Sequence, residues 1–378
     1  MTPARTSSRS SRRLITAILG VAATAGVLFA CTLTQSLDYL QKGDGGAGVG
    51  PLIDGGGPTS DGGADGGGEP APVWEVTGLT KPGFLVLDAT NVYWVTDGKV
   101  VSVPKATGGI PKVLGAVPSN TSALAVAGDA AGFVFAAVGT DVLRIPKDGS
   151  GAAANVVVFA PGAGATTVDA IGADGTSLFV LQYSASGVGV DARILRMAND
   201  GGAAADISGD GGATTLTLDP TSVIWLSADP DKSQLVQHAK GAPADVNSAV
   251  FSLGPDDGVP ALSSEIAVDD AFLYWITTDA TGTSPLIVSR KRDPSASVVT
   301  IYLGQPDVAL ARLAVDDKYA YALETHSSTL LRVPKTGGDP VVLLSGLKQP
   351  SALAVDATGI YVAEAVVGMT GRVFKIAR

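Results

Sequence analysis

The 378-residue chain has one cysteine, two histidines and a charged fraction of only 16%. A single cysteine excludes an intrachain disulfide framework. His238 and His326 lie far apart in sequence, and neither has a partner at the helical or hairpin spacing of metal ligands, so both are expected as surface histidines. No G-x-S-x-G or Walker motif occurs, and no local arrangement of Ser, His and Asp suggests a nucleophile with its base. Long helices are poorly supported as well. The 48 glycines and 22 prolines punctuate short runs of Val, Leu, Ala and Tyr, the pattern of many short strands.

The first thirty residues stand apart from the rest. Arg5, Arg9, Arg12 and Arg13 precede an apolar stretch, Leu14 to Ala30, of 17 residues. A basic segment before an apolar one is an export signal, and the stretch is at the short limit for a membrane span. The lone cysteine, Cys31, follows directly. Leu28, Phe29, Ala30 and Cys31 resemble a bacterial lipobox, although Phe29 is bulkier than the residue usual at its place. The resemblance implies that Cys31 is the diacylglycerol-modified first residue of the mature protein, and Thr32 after it leans toward outer-membrane sorting. Ser11 to Thr16, "SRRLIT", weakly resembles a twin-arginine signal; with no cofactor motif downstream, ordinary secretion ranks first and no cofactor is expected.

Removal of residues 1–30 leaves 22 basic and 36 acidic residues, a net charge of −14. Such a surface repels nucleic acid and anionic lipid headgroups. Attachment to a membrane would then rest on acyl chains, at about 0.8 kcal/mol per buried methylene. Residues 43–72 are a Gly/Asp-rich run too poor in apolar side chains to build a core. The Asp-Gly-Gly repeats lack the spaced apolar residues of calcium-binding nonapeptides. Residues 31–72 therefore read as a disordered tether, with a reach of roughly 35 Å.

From residue 73 the chain repeats. Each unit opens with a short apolar strand that usually ends in Asp: "FLVLD" at 84–88, "TLTLD" at 215–219, "EIAVD" at 265–269, "RLAVD" at 312–316 and "ALAVD" at 352–356. A second strand carries aromatics, as in "VYWVTD" from Val92 and "LYWITT" from Leu273. A third often ends in a Pro-Lys-Gly turn, and a fourth is short and apolar. Seven units follow at spacings of 39 to 49 residues, the period of a propeller. The last unit has three strands before Arg378. Its fourth is supplied by "VWEVTGL" at 73–79, which matches "VVLLSGL" at 341–347, both after proline. The expectation is an all-β, seven-bladed propeller of four-stranded antiparallel blades over 73–378. An N-terminal strand completes the last blade and leaves no open ring edge. The strand-ending aspartates are expected to accept backbone N–H groups in the turns that follow. Trp94, Trp225 and Trp275 recur at one second-strand position and are expected to pack between blades, with Trp74 in the closing strand.

"VYWVTD" (92–97) and "LYWITTD" (273–279) resemble the signature of bacterial propellers of the NHL and YWTD type. The lipobox, the Gly/Asp tether and the "VYW…VPK…GG" blades together look like myxobacterial lipoprotein propellers. The resemblance implies fold, and names no ligand. Propeller lactonases and lyases build metal sites from inner-strand His and acidic residues, and here those positions are mostly apolar.

One rim of the ring is the place to look for a site. Glu265 and Arg312 take the same position at the start of the first strand in adjacent units, either as a salt bridge across the channel mouth or as a ligand-orienting pair. Tyr183, Asp229, Asp279, Glu324, His326 and Glu364 would surround them from the loops between second and third strands. The leading expectation is a monomeric envelope lipoprotein that acts as a non-enzymatic binding or scaffolding module. It would sit at the outer membrane, periplasmic or surface-exposed, and bind a protein or glycan, not nucleic acid. Alternatives are a metal-dependent propeller hydrolase or lyase and an outer-membrane assembly scaffold.

Overall fold

The computed structural model describes residues 69–378, except 129–131, 159–165, 187–188, 209–211, 230–231, 244–248, 254–264, 280, 307, 367 and 369. The export segment, the lipobox (Leu28, Phe29, Ala30), Cys31 and residues 32–68 of the tether lie outside the described residues.

Every regular element among the described residues is a strand, and the strands form seven four-stranded sheets. Six blades are built in simple order from residues 83–116, 121–158, 166–206, 213–252, 266–303 and 310–344. The seventh takes its three inner strands from 350–376. Its outermost strand is Trp74–Leu79, paired antiparallel with Gly371–Ile376 in the register Trp74↔Lys375 to Leu79↔Gly371. The first strand of each blade touches the first strand of the next, and that of the seventh touches that of the first. The ring is closed, with the first strands around the axis.

Period-two alternation decides which blade each side chain meets. In Asn91–Thr96, Val92 and Trp94 enter the cluster shared with blade seven, while Tyr93 and Val95 enter the cluster shared with blade two. In "ALAVD", Leu353 and Val355 face blade six and Ala352 and Ala354 face blade one. Seven such clusters fill the seven interfaces. Trp94, Trp225 and Trp275 are buried in three of them. His238 departs from expectation. It is buried beside Trp225, with ring centroids 6.3 Å apart, and burial lowers its pKa. Its place on a third strand facing the interface put it in the core, while His326 is exposed in a loop.

The closing strand is locked to both neighbours. Trp74 is buried, packs 6.1 Å from the Tyr361 ring, and donates Nε1–H to the Lys105 carbonyl of blade one at 2.9 Å. Gly108 lets the indole lie so close: a Cβ there would stand 2.7 Å from Trp74 Cγ.

The aspartates that end the first strands do cap the following turns. Asp88 Oδ1 accepts the N–H groups of Thr90 and Asn91 at 2.9 and 2.8 Å, and Asp174, Asp219, Asp269 and Asp316 repeat the pattern. Their other oxygen does something the repeat did not announce. It takes a cation from the end of the third strand in the next blade. Lys147 reaches Asp88 at 2.9 Å, Lys240 reaches Asp174 at 3.5 Å, and Lys335 reaches Asp269 at 2.5 Å. Arg378 reaches Asp316 at 3.2 Å, Lys105 closes the circle on Asp356 at 2.5 Å, and Arg292 pairs with Asp219. In blade three the corresponding residue is Asn199, which instead donates to its own blade's Asp174 carbonyl at 2.8 Å. The lysine of the Pro-Lys-Gly turns is thus an interblade clasp. Burial alone would push these carboxyls up. For Asp88 the Tyr93 hydroxyl, Lys147 and the turn N–H groups outweigh it and hold the carboxyl well below the usual carboxylate range. Asp269 and Asp356 are lowered in the same way.

Candidate functional site

Antiparallel order puts the start of every first strand on the face opposite this ring of clasps. There the strands are not regular. In six blades the pairing of first with second strand shifts register, between Gly83 and Val86, Thr121 and Ala123, Val168 and Ala170, Ala213 and Thr215, Ala311 and Leu313, and Pro350 and Ala352. A bulge re-aims the residue it leaves unpaired. Those residues include Phe84, Ser122, Asp169, Thr214 and Arg312. All five, with Glu265 of blade five, line one cavity of about 320 Å³ to which all seven blades contribute.

Two of them, Phe84 (φ 58°) and Arg312 (φ 43°), hold a left-handed backbone that side chains other than glycine rarely adopt. Arg312 is fixed by its neighbours on both sides. Its Nη1 donates to Glu265 Oε1 at 2.8 Å and its Nε to the Ser351 carbonyl at 2.9 Å, while Glu265 Oε2 accepts the Leu313 N–H at 3.0 Å. One ion pair therefore stitches blades five, six and seven at the mouth. Ser122 and Ser351 add similar stitches by donating to the carbonyls of Val168 and Pro82, both at 2.7 Å. The Ser122 hydroxyl is thus committed to a carbonyl, not to a base.

Asp169 differs from Glu265, the other described acid that lines the cavity. It is solvent-accessible, yet protein walls it on the sides, and this loss of solvation raises its pKa against one lowering contact, the Thr167 hydroxyl at 2.9 Å. No Lys or Arg among the described residues pairs with it. The nearby Tyr183 hydroxyl is pushed up to about 12, first by burial and then by the Asp169 charge.

Of the other residues expected around the mouth, Asp279, Glu324, His326 and Glu364 are not part of the cavity lining. Asp279 caps its own loop, accepting from Thr281 Oγ1 at 2.8 Å and from the N–H of Thr283 at 3.0 Å. Glu324 accepts from Ser327 and Thr329 within its hairpin. Asp229 pairs with Lys232 in a hairpin, and its side chain lies outside the described residues. Glu364 is buried, not exposed, and holds Arg372 at 2.5 Å and the Lys348 N–H at 2.8 Å. Arg372 in turn reaches Glu75 of the closing strand at 3.3 Å, so Glu364 serves ring closure. Among the described residues, no three His, Cys, Asp or Glu side chains gather as a metal site would require.

Sequence reading reached Glu265 and Arg312 and missed Ser122, Asp169 and Thr214. A signal was present. A polar residue precedes the apolar quartet in "SALAV", "DAIGA" and "TTLTL".

No protein-family model and no curated protein matches the chain. Solved structures do. The Pan2 WD40 domain of Neurospora crassa superposes with a TM-score of 0.55 at 8% identity, over 79% of this chain and 90% of that one. The β-propeller domain of the Trilobed protease from Pyrococcus furiosus gives 0.54 at 6% identity, over 79% and 95%; it is described as having an open velcro topology, whereas this ring is closed by Trp74–Leu79. BamB from Moraxella catarrhalis gives 0.45 at 14% identity, over 76% and 82%. At these identities the likeness concerns the fold alone.

Proposed function

We propose that this chain is an envelope lipoprotein, anchored through Cys31, whose propeller is a non-enzymatic binding module with its recognition site at the channel mouth. The observation that carries this reading is the cavity itself. Bulges in separate blades deliver differing side chains to one point on the axis, while the clasps that hold the ring sit on the opposite face. The ring of clasps thus leaves the mouth side chains that make no interblade bond, Phe84 and Asp169 among them, available for recognition on a rigid scaffold. The lipobox residues Leu28 to Cys31 and the Gly/Asp tether support the anchor and a place at the outer membrane. The acidic net charge argues for a protein or glycan partner and against nucleic acid.

The test is a pull-down with tagged, lipidated protein from its native membrane, beside metal analysis of the purified chain. A stoichiometric envelope partner whose capture is lost when Arg312 and Glu265 are both replaced by alanine supports the binding module. A stoichiometric metal with no partner overturns it in favour of a propeller hydrolase or lyase.

A further inference from the structure

Among the described charges at the mouth, one is left without an opposite. Glu265 and Arg312 satisfy each other, and both oxygens of Glu265 are filled, one by the guanidinium and the other by the Leu313 N–H. Asp169, across the ring in blade three, has the Thr167 hydroxyl as its donor and no described cation beside it. Its carboxylate is open to solvent on the cavity side, so a charged ligand can reach it with one hydroxyl, that of Thr167, already in place. It sits where a regular strand would have aimed the side chain elsewhere, since the bulge between Val168 and Ala170 turns it to the cavity. The remainder of the lining is apolar where it is not hydroxyl. Phe84 is 37% exposed, an unusual exposure for phenylalanine, in a left-handed backbone that its bulge enforces. Leu85 and Leu353 of the adjoining blades one and seven line the same cavity, as does Leu181 of blade three.

A carboxylate without a counter-ion among the described residues, an open phenyl ring and aliphatic walls within about 320 Å³ form the complement of a cation on an apolar stem. The ammonium would meet Asp169 and the hydroxyls of Ser122 and Thr214, and its methylenes the Phe84 side, where a ring face also attracts cations. We infer that the channel mouth binds a primary alkylammonium group, carried either by a free amine or by a lysine side chain of a protein partner. The inference rests on the mouth being the recognition site, and its test needs no partner.

The full chain, purified in detergent, is titrated calorimetrically with hexylammonium chloride, 1,6-diaminohexane, Nα-acetyl-lysine methylamide and neutral hexanol. Saturable binding of the amines and not of hexanol is expected, weakening as salt is raised. Asp169→Asn is expected to reduce amine affinity by about tenfold or more. Asp339→Asn, an exposed acid in a loop of the opposite face, is expected to leave it unchanged. Preference for the diamine assigns a free amine as ligand, and preference for the lysine derivative assigns a partner's side chain. Equal binding of hexanol and hexylammonium, no binding at all, or full affinity in the Asp169→Asn protein overturns the inference. The hexanol comparison in the unaltered chain stands even where a variant fails to fold. Failure here with a partner still captured at Arg312 and Glu265 would leave the binding module standing and remove only the ammonium.

Discussion

Lys105 Nζ lies 2.5 Å from Asp356 Oδ2, and the two residues are 251 positions apart. The pair joins the first blade to the seventh beside the carbonyl that also receives the Trp74 indole. Lys105→Met keeps the apolar stem and removes the charge, leaving a largely buried carboxylate with neutral donors from Thr358 and Tyr361. The expected cost is about 3 kcal/mol, read as a lower denaturation midpoint.

The clasps also set the response to acid. Asp88, Asp219, Asp269 and Asp356 have folded pKa values below their ordinary ones. Their stabilisation is fully present above the unfolded carboxylate value near about 4 and is lost as pH falls through the depressed values. Chemical denaturation from pH 7 down to pH 3 should show a plateau and then a decline below about pH 4. Lys147→Met should flatten that decline in part, because the Tyr93 hydroxyl and the turn N–H groups still lower Asp88.

Asp169 has the opposite sign. Its pKa is raised by burial, so its ionised form opposes folding at neutral pH and the penalty disappears as pH falls. Asp169→Asn should therefore raise the melting temperature at pH 7 slightly, because the side chain is solvent-accessible, while weakening amine binding by about tenfold or more. A gain in stability with a loss of binding is the signature of a residue kept for recognition.

Removal of residues 73–79 takes away the outer strand of blade seven, and a large fall in melting temperature is expected. Point changes should grade it. Trp74→Phe loses the bond to the Lys105 carbonyl, about 1 kcal/mol, and Trp74→Ala costs about 3–5 kcal/mol. Gly371→Ala should be as damaging, because a Cβ would stand 2.1 Å from the Glu364 carbonyl oxygen.

Cys31→Ser should move the protein from the membrane fraction to the soluble one if acyl chains are its anchor. Retention of the variant in membranes after a high-salt wash would instead point to the Leu14–Ala30 stretch as a span.

The fold was legible because closure leaves a mark in one dimension. The likeness of 73–79 to 341–347 is the likeness of two outermost strands, and TLTLD, EIAVD, RLAVD and ALAVD mark the axis. Contacts between blades left no such mark. Lys147 and Asp88 are separated by a blade boundary, and periodicity within a unit says nothing of who stands beside it. The candidate site was half legible for a related reason. Arg312 and Glu265 are charges in an apolar position and stand out, whereas Asp169 precedes its apolar run by one residue and reaches the axis only through a bulge. Glu364 looked like an exposed loop acid because the loop after it is long. Its partner, Arg372, lies on the far side of that loop.

The strand Trp74–Leu79 is the first of the propeller to be synthesised, and its partner, Gly371–Ile376, is the last. No earlier segment can satisfy its axis-facing amides in the native register. During translation the other six blades can assemble in turn, but the circle has no stable endpoint until almost the whole polypeptide is available. Completion of the ring is therefore an event that follows synthesis of Gly371–Ile376. A chain truncated before Gly371 would retain most of its blades and lack the one junction that makes them a closed disc.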